Sequence, residues 1–156
     1  EGEDTEVDVG YVGEVISVDV DLLHSLEDEG DVVVLPPIGQ DASGQLYNVN
    51  ADSAAAAVAR ELRAEKVVFL SDVHGIMERP DEAGSTISTL DRRQVDELIS
   101  RGVITGGMRP KVQACLQSIA AGVRKAHIID ATLDHSLLLE IFTDEGVGTQ
   151  IVQRSE

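Results

Sequence analysis

Lys66-Val67-Val68-Phe69-Leu70-Ser71-Asp72-Val73-His74-Gly75-Ile76-Met77 is the stretch on which the fold class turns. Its first six residues form a short apolar run rich in valine and phenylalanine, the pattern of a buried strand. The run passes directly into a polar loop, where Gly75 can supply a backbone angle closed to other residues. Immediately before it, the alanine-rich residues 51–63 predict a helix. A helix feeding a buried strand that ends in a polar loop is the repeating unit of an α/β sheet, whose ligands bind beyond the carboxyl ends of strands. Asp72, Val73, His74, Gly75, Ile76 and Met77 are therefore candidate ligand residues. The alternative is an ordinary strand-to-loop turn, with His74 a solvated side chain rather than a catalytic base.

The same alternation extends both ways. Upstream, residues 11–18 alternate as a strand, Asp19 caps a short helix carrying Leu22, Leu23 and Leu26, and Gly30 ends it. Residues 32–35 read as a buried strand stopped by Pro36 and Pro37, followed by a polar turn over 39–44. Downstream, residues 79–85 read as an exposed loop, and Asp91 caps a helix bearing Val95, Leu98 and Ile99 that Gly102 closes. Pro110 suits the first turn of a helix through Val112, Cys115, Leu116 and Ile119. Residues 126–130 are a further buried strand, 137–142 an apolar helical turn, and Ile151 with Val152 a last strand. This order predicts one domain over residues 1–156: an open, three-layer, largely parallel sheet with helices on both faces. The acidic start, residues 1–9, is expected to fray.

Two constellations carry chemistry. Val103-Ile104-Thr105-Gly106-Gly107-Met108-Arg109-Pro110-Lys111 sets two glycines and a lysine at the start of a helix. Backbone N–H groups there can approach an anion, and the lysine supplies a mobile cation. The same pattern also suits a plain tight loop. Asn48-Val49-Asn50-Ala51-Asp52 leads into the alanine-rich helix, with the two asparagines on one side of an extended segment and Asp52 in the first turn. A helix N-cap alone would use one of Asn50 and Asp52 and leave Asn48 without a role.

Composition narrows the partners. Twelve basic and 29 acidic residues give a net charge of −17, and no Lys or Arg precedes Arg60. Nucleic acid and anionic membranes need a cationic footprint that this chain lacks. No apolar run approaches the roughly 20 residues of a membrane-spanning helix, and the lone Cys115 fits a reducing, cytoplasmic setting. Cys115 is expected to pack rather than react. No protein-built metal site is expected. The acidic excess also fits adaptation to high salt, where screening makes a like-charged surface tolerable.

Taken together with Phe142-Thr143-Asp144-Glu145-Gly146-Val147-Gly148-Thr149, these motifs resemble, in matching order, the acetylglutamate kinase branch of the amino acid kinase family. The resemblance implies the carboxyl-terminal, nucleotide-binding half of such an enzyme, using ATP with Mg²⁺ to phosphorylate N-acetyl-L-glutamate in arginine biosynthesis. It implies that Lys111 stabilises the transferring phosphoryl group, that Asp52 organises the catalytic lysines, and that Asn48 and Asn50 face the substrate. Asp72, Val73, His74, Gly75, Ile76, Met77, Val103, Ile104, Thr105, Gly106 and Gly107 would enclose ATP. Glu140 and Gly146 match an arginine effector site, in which Glu140 would meet the cationic group or else simply face solvent. The family's amino-terminal substrate motifs do not occur in this sequence. A full-length homo-oligomer, and a monomeric, inactive isolated half, are the corresponding expectations. A sister aminoadipate-type kinase and a non-catalytic arginine sensor stay open as alternatives.

Overall fold

The structure, a computed structural model, describes residues 10–79, 82, 84–143 and 146–153. The start expected to fray, Pro80, Asp81 and Ala83 of the expected loop, and Asp144 and Glu145 of the last motif lie outside the described residues. The elements run α1 (Val20–Asp28), β1 (Ile38–Gln40), β2 (Leu46–Asn48), α2 (Ala51–Glu61), β3 (Lys66–Ser71), β4 (Thr89–Leu90), α3 (Arg92–Ser100), α4 (Met108–Ala120), β5 (Lys125–Asp130), α5 (Ser136–Phe142) and β6 (Thr149–Val152).

Four strands form one sheet in the order β3-β5-β6-β4. The β3–β5 and β4–β6 pairs are parallel, and only β5–β6 is antiparallel. Lys66 pairs with Lys125 and Ser71 with Asp130, so β3 and β5 end side by side. That common end carries the site.

Strand periodicity divides the layers. Val67, Phe69, Ala126, Ile128 and Ile151 share one core with Val95 and Leu98 of α3 and Val112, Cys115 and Leu116 of α4. His127, between Ala126 and Ile128, meets Glu140 of α5 instead, so α5 covers the opposite face. Local signals set the helix ends. Asp19 accepts the Leu22 N–H, and Asp91 and Gln94 form a reciprocal capping box on α3. Arg63, in a left-handed conformation at φ 50°, follows the end of α2.

Two expected strands do not form. Residues 11–18 are extended but make only an isolated bridge, Val12 to Asn48. Residues 32–35 are exposed coil, with Val32 90 % and Val34 86 % exposed. Their β-branched side chains favour extended backbone, yet a strand also needs a ladder partner, and the described residues offer them none. Of the polar turn expected over 39–44, Gly39 and Gln40 belong to β1, and the turn itself lies at 41–45, the tip of a hairpin between β1 and β2. The two-residue β4 was not foreseen, being too short for a period-two pattern.

Candidate active site

Lys111 sits in the first turn of α4, and Asp52 in the first turn of α2. The two helices bring them together: Lys111 Nζ lies 3.0 Å from Asp52 Oδ1 and 3.2 Å from Oδ2. Their side chains are 22 % and 21 % exposed, so the pair is shielded without being sealed. Asp52 takes no capping role, because Asn50 is the N-cap and accepts the Ser53 N–H at 3.0 Å.

Lys111 opens onto a cavity of about 450 Å³ at the carboxyl end of β3. One wall is Asp72, Val73, Gly75, Ile76 and Met77, and the other is Val103, Ile104, Thr105 and Gly107. Ser71 and Met108 also line it and were missed from sequence, because Ser71 reads as strand and Met108 as helix. Its lining is more apolar than polar, with Asp72, Thr105 and Lys111 among the polar members. Gly107 is the N-cap of α4 and makes no side-chain cap. In the first turn the Met108 and Arg109 N–H groups donate to the Thr105 and Gly106 carbonyls at 3.2 Å, and Pro110 has no N–H, so Lys111 is the cationic group that α4 brings to the cavity. Gly106 holds φ 53°, which explains a glycine there, whereas a Cβ on Gly107 would meet nothing within 4 Å.

Two candidates stand off from this cavity. Gly106 and His74 are not among its lining residues; His74 turns away and pairs through Nδ1 with Asp130. Neither Asn48 nor Asn50 reaches it. Asn50 borders a separate depression beside Ser53 and Arg60, and Asn48 is exposed at the end of β2, its backbone engaged by Tyr11 and Gly13. The cavity and the ion pair thus form one unit, which neither asparagine joins.

Cys115, one turn beyond Lys111, is fully buried, and desolvation together with nearby Asp52 pushes its thiol up to about 12. It is a packing residue. Among the described residues no group of three or more His, Cys, Asp or Glu side chains could hold a metal ion, and no helix is long and apolar enough to cross a membrane.

At the other end of the sheet, Glu140 is buried rather than turned to solvent. It pairs with His127 Nδ1 and accepts the Val147 N–H at 2.8 Å. Gly146, at φ 63°, lies so close that a Cβ there would come within 3.1 Å of Glu140 Oε2. Both residues border a polar cavity of about 320 Å³ with Lys66, Lys125 and His127.

Comparison with known proteins accords with this geometry. The chain is 49 % identical over 146 residues to acetylglutamate kinase of Persephonella marina and 51 % identical over 145 residues to that of a Sulfurihydrogenibium species. It covers 94 % and 93 % of itself in these matches but 48 % of each relative, and so spans about half the length of the curated relatives it matches. A crystal structure of N-acetylglutamate synthase from Neisseria gonorrhoeae with coenzyme A and L-arginine superposes with a TM-score of 0.85 at 31 % identity, over 96 % of this chain and 34 % of that one. Carbamate kinase from Giardia lamblia bound to AMP-PNP shares the fold, with a TM-score of 0.66 at 21 % identity over 88 % of this chain and 45 % of that one. The sequence model of the amino acid kinase family matches residues 2–130, and the chain belongs to that family.

Proposed function

We propose that this chain is the ATP-binding portion of an acetylglutamate kinase, which transfers the ATP γ-phosphoryl group to the side-chain carboxylate of N-acetyl-L-glutamate in arginine biosynthesis. The observation that carries the reading is the Lys111–Asp52 ion pair at the mouth of the cavity beyond β3. Phosphoryl transfer asks little covalent chemistry of a protein; it needs positioning and stabilisation of charge on the moving group. Lys111 supplies the charge, and Asp52 fixes its ammonium so that little reorganisation is needed as charge develops. Lys111 meets the phosphates at the start of α4, while the apolar lining by Ile76, Ile104 and Met77 takes the base. Asp72, the acidic side chain on the cavity wall, would help hold a Mg²⁺ ion bound with the nucleotide, and that ion would supply neutralisation of phosphate charge.

The chain spans half of its relatives, so acceptor recognition is assigned to residues outside it, with Asn48 and Asn50 at the boundary. On this reading the isolated chain binds MgATP weakly and does not turn over acetylglutamate. An aminoadipate-type carboxylate kinase would use the same Lys111 and Asp52, and the acceptor half decides between the two. The buried Glu140 beside Gly146 supports a second, regulatory site for the cationic effector arginine. A purely sensing module would have no use for Lys111 paired to Asp52, which favours the kinase.

Calorimetry of MgATP binding, followed by turnover in the full-length protein containing this segment, tests the assignment. Lys111→Ala is expected to lower kcat by about 100-fold or more and to weaken MgATP binding. Equal affinity and equal turnover in both proteins would remove Lys111, and this reading, from the mechanism.

A further inference from the structure

Asp130 is a carboxylate at the end of β5 that the proposed chemistry leaves unused, and it is only 1 % exposed. Such a group is costly to bury unless donors surround it. Oδ1 accepts the Thr132 N–H and the Thr132 hydroxyl, each at 2.7 Å, whereas Oδ2 makes no hydrogen bond among the described residues and has the His74 ring, through Nδ1, as its ion-pair partner. The Thr132 donors hold its carboxyl below the usual carboxylate range.

His74 is the odd member. Its side chain is 72 % exposed and lies outside the lining of the Lys111 cavity, although Asp72, Val73, Gly75, Ile76 and Met77 around it all line that cavity. Its carbonyl accepts from Thr86 Oγ1 at 3.3 Å. The next residues are pinned from the start of β6: Ile76 N–H donates to Thr149 Oγ1 at 2.8 Å, and Gly75, at φ 93°, presses against Thr149. Buried side chains at the ends of β5 and β6 thus grip this loop from behind.

We propose that Asp130 and His74 are positioning residues for nucleotide binding: the Asp130 carboxylate anchors the His74 ring and so sets the 72–77 wall of the cavity. The inference rests on the nucleotide reading of that cavity. A wall fixed in advance spares the nucleotide the entropy of ordering it.

Three readouts on the chain as it stands test this: amide hydrogen exchange at Gly75 and Ile76 without ligand, the Kd for MgATP, and the melting temperature. His74→Ala is expected to speed exchange and to raise Kd roughly five- to tenfold, and to lower the melting temperature, because the buried Asp130 Oδ2 loses the cationic group that faces it. His74→Asn keeps an N–H near the position of Nδ1 and should restore exchange and Kd. Unchanged exchange, or equal loss in the Ala and Asn variants, overturns the anchoring role. Wild-type affinity in His74→Ala, alongside weakened binding in Lys111→Ala, overturns it and leaves the nucleotide reading standing. Absence of MgATP binding to wild type removes the nucleotide reading, and this role with it.

Discussion

His127 shows how one buried residue ties the fold to pH. Its side chain is buried on the α5 face of β5, with Nδ1 against Glu140 and Nε2 lacking any partner among the described residues. Burial pushes its pKa down from the ordinary histidine value, and the pull of Glu140 only partly opposes this; Lys66 and Lys125 push the same way as burial. A histidine whose folded pKa lies below its unfolded one takes up protons first in the unfolded chain. Its contribution is therefore present above the ordinary value near 6.5 and is lost as pH falls below it. Urea midpoints should drop between pH 7.5 and pH 5.5 more in wild type than in His127→Gln. Parallel pH profiles for the two proteins would show that folding leaves the pKa of His127 unchanged. With Nδ1 donating to Glu140, Nε2 of the neutral ring is a buried acceptor without a partner among the described residues.

The antiparallel step from β5 to β6 depends on a glycine. A Cβ at Gly148 would fall 2.2 Å from the Ile128 carbonyl oxygen and 3.0 Å from Ile129 Cα, both backbone atoms of β5. Gly148→Ala must push β6 off its partner, and an unfolding free-energy loss of about 2–3 kcal/mol or more is expected in chemical denaturation. Gly107→Ala, where the space is open and φ is −63°, should cost less than about 1 kcal/mol. Near-equal losses would mean that β5 and β6 have more slack than their register implies. The contrast also marks what sequence could reveal. Element types encoded locally were legible: β3, β5 and β6, the caps Asp19 and Asp91, and the lysine and carboxylate that α4 and α2 bring together. Features set by distant partners were not. Residues 32–35 have strand composition without a ladder, His74 faces Asp130 rather than the cavity, and the role of Gly148 depends on a strand 20 residues earlier. Within the Gly-Gly pair itself, only Gly106 has a positive φ, a distinction no composition rule could make.

Over the whole molecule two surfaces work against the isolated chain. One is apolar: Ile16, Val32 and Val34, outside any helix or strand, are between 86 % and 94 % exposed. The other is electrostatic, a net charge of −17 on 156 residues. Several ion pairs join neighbours within one helix or turn, such as Arg92 with Asp96 and Arg79 with Glu82, and exposed pairs of that kind offset little repulsion. Screening should therefore stabilise the fold, because the Debye length contracts from about 10 Å at 0.1 M to about 3 Å at 1 M salt. Each kcal/mol of repulsion relieved raises the melting temperature by about 2–4 °C in a chain of this size, so a clear rise is expected between low salt and 1 M KCl. Salt also strengthens apolar burial when its anion is excluded from the surface, and that effect must be separated. At matched ionic strength, KCl and sodium sulfate screen charge comparably, whereas sulfate adds exclusion. If like-charge repulsion dominates, most of the gain appears in KCl and sulfate adds a smaller increment. A melting temperature that is flat in KCl and climbs only in sulfate would trace the response to the apolar segments, and the acidic surface would then cost the fold little.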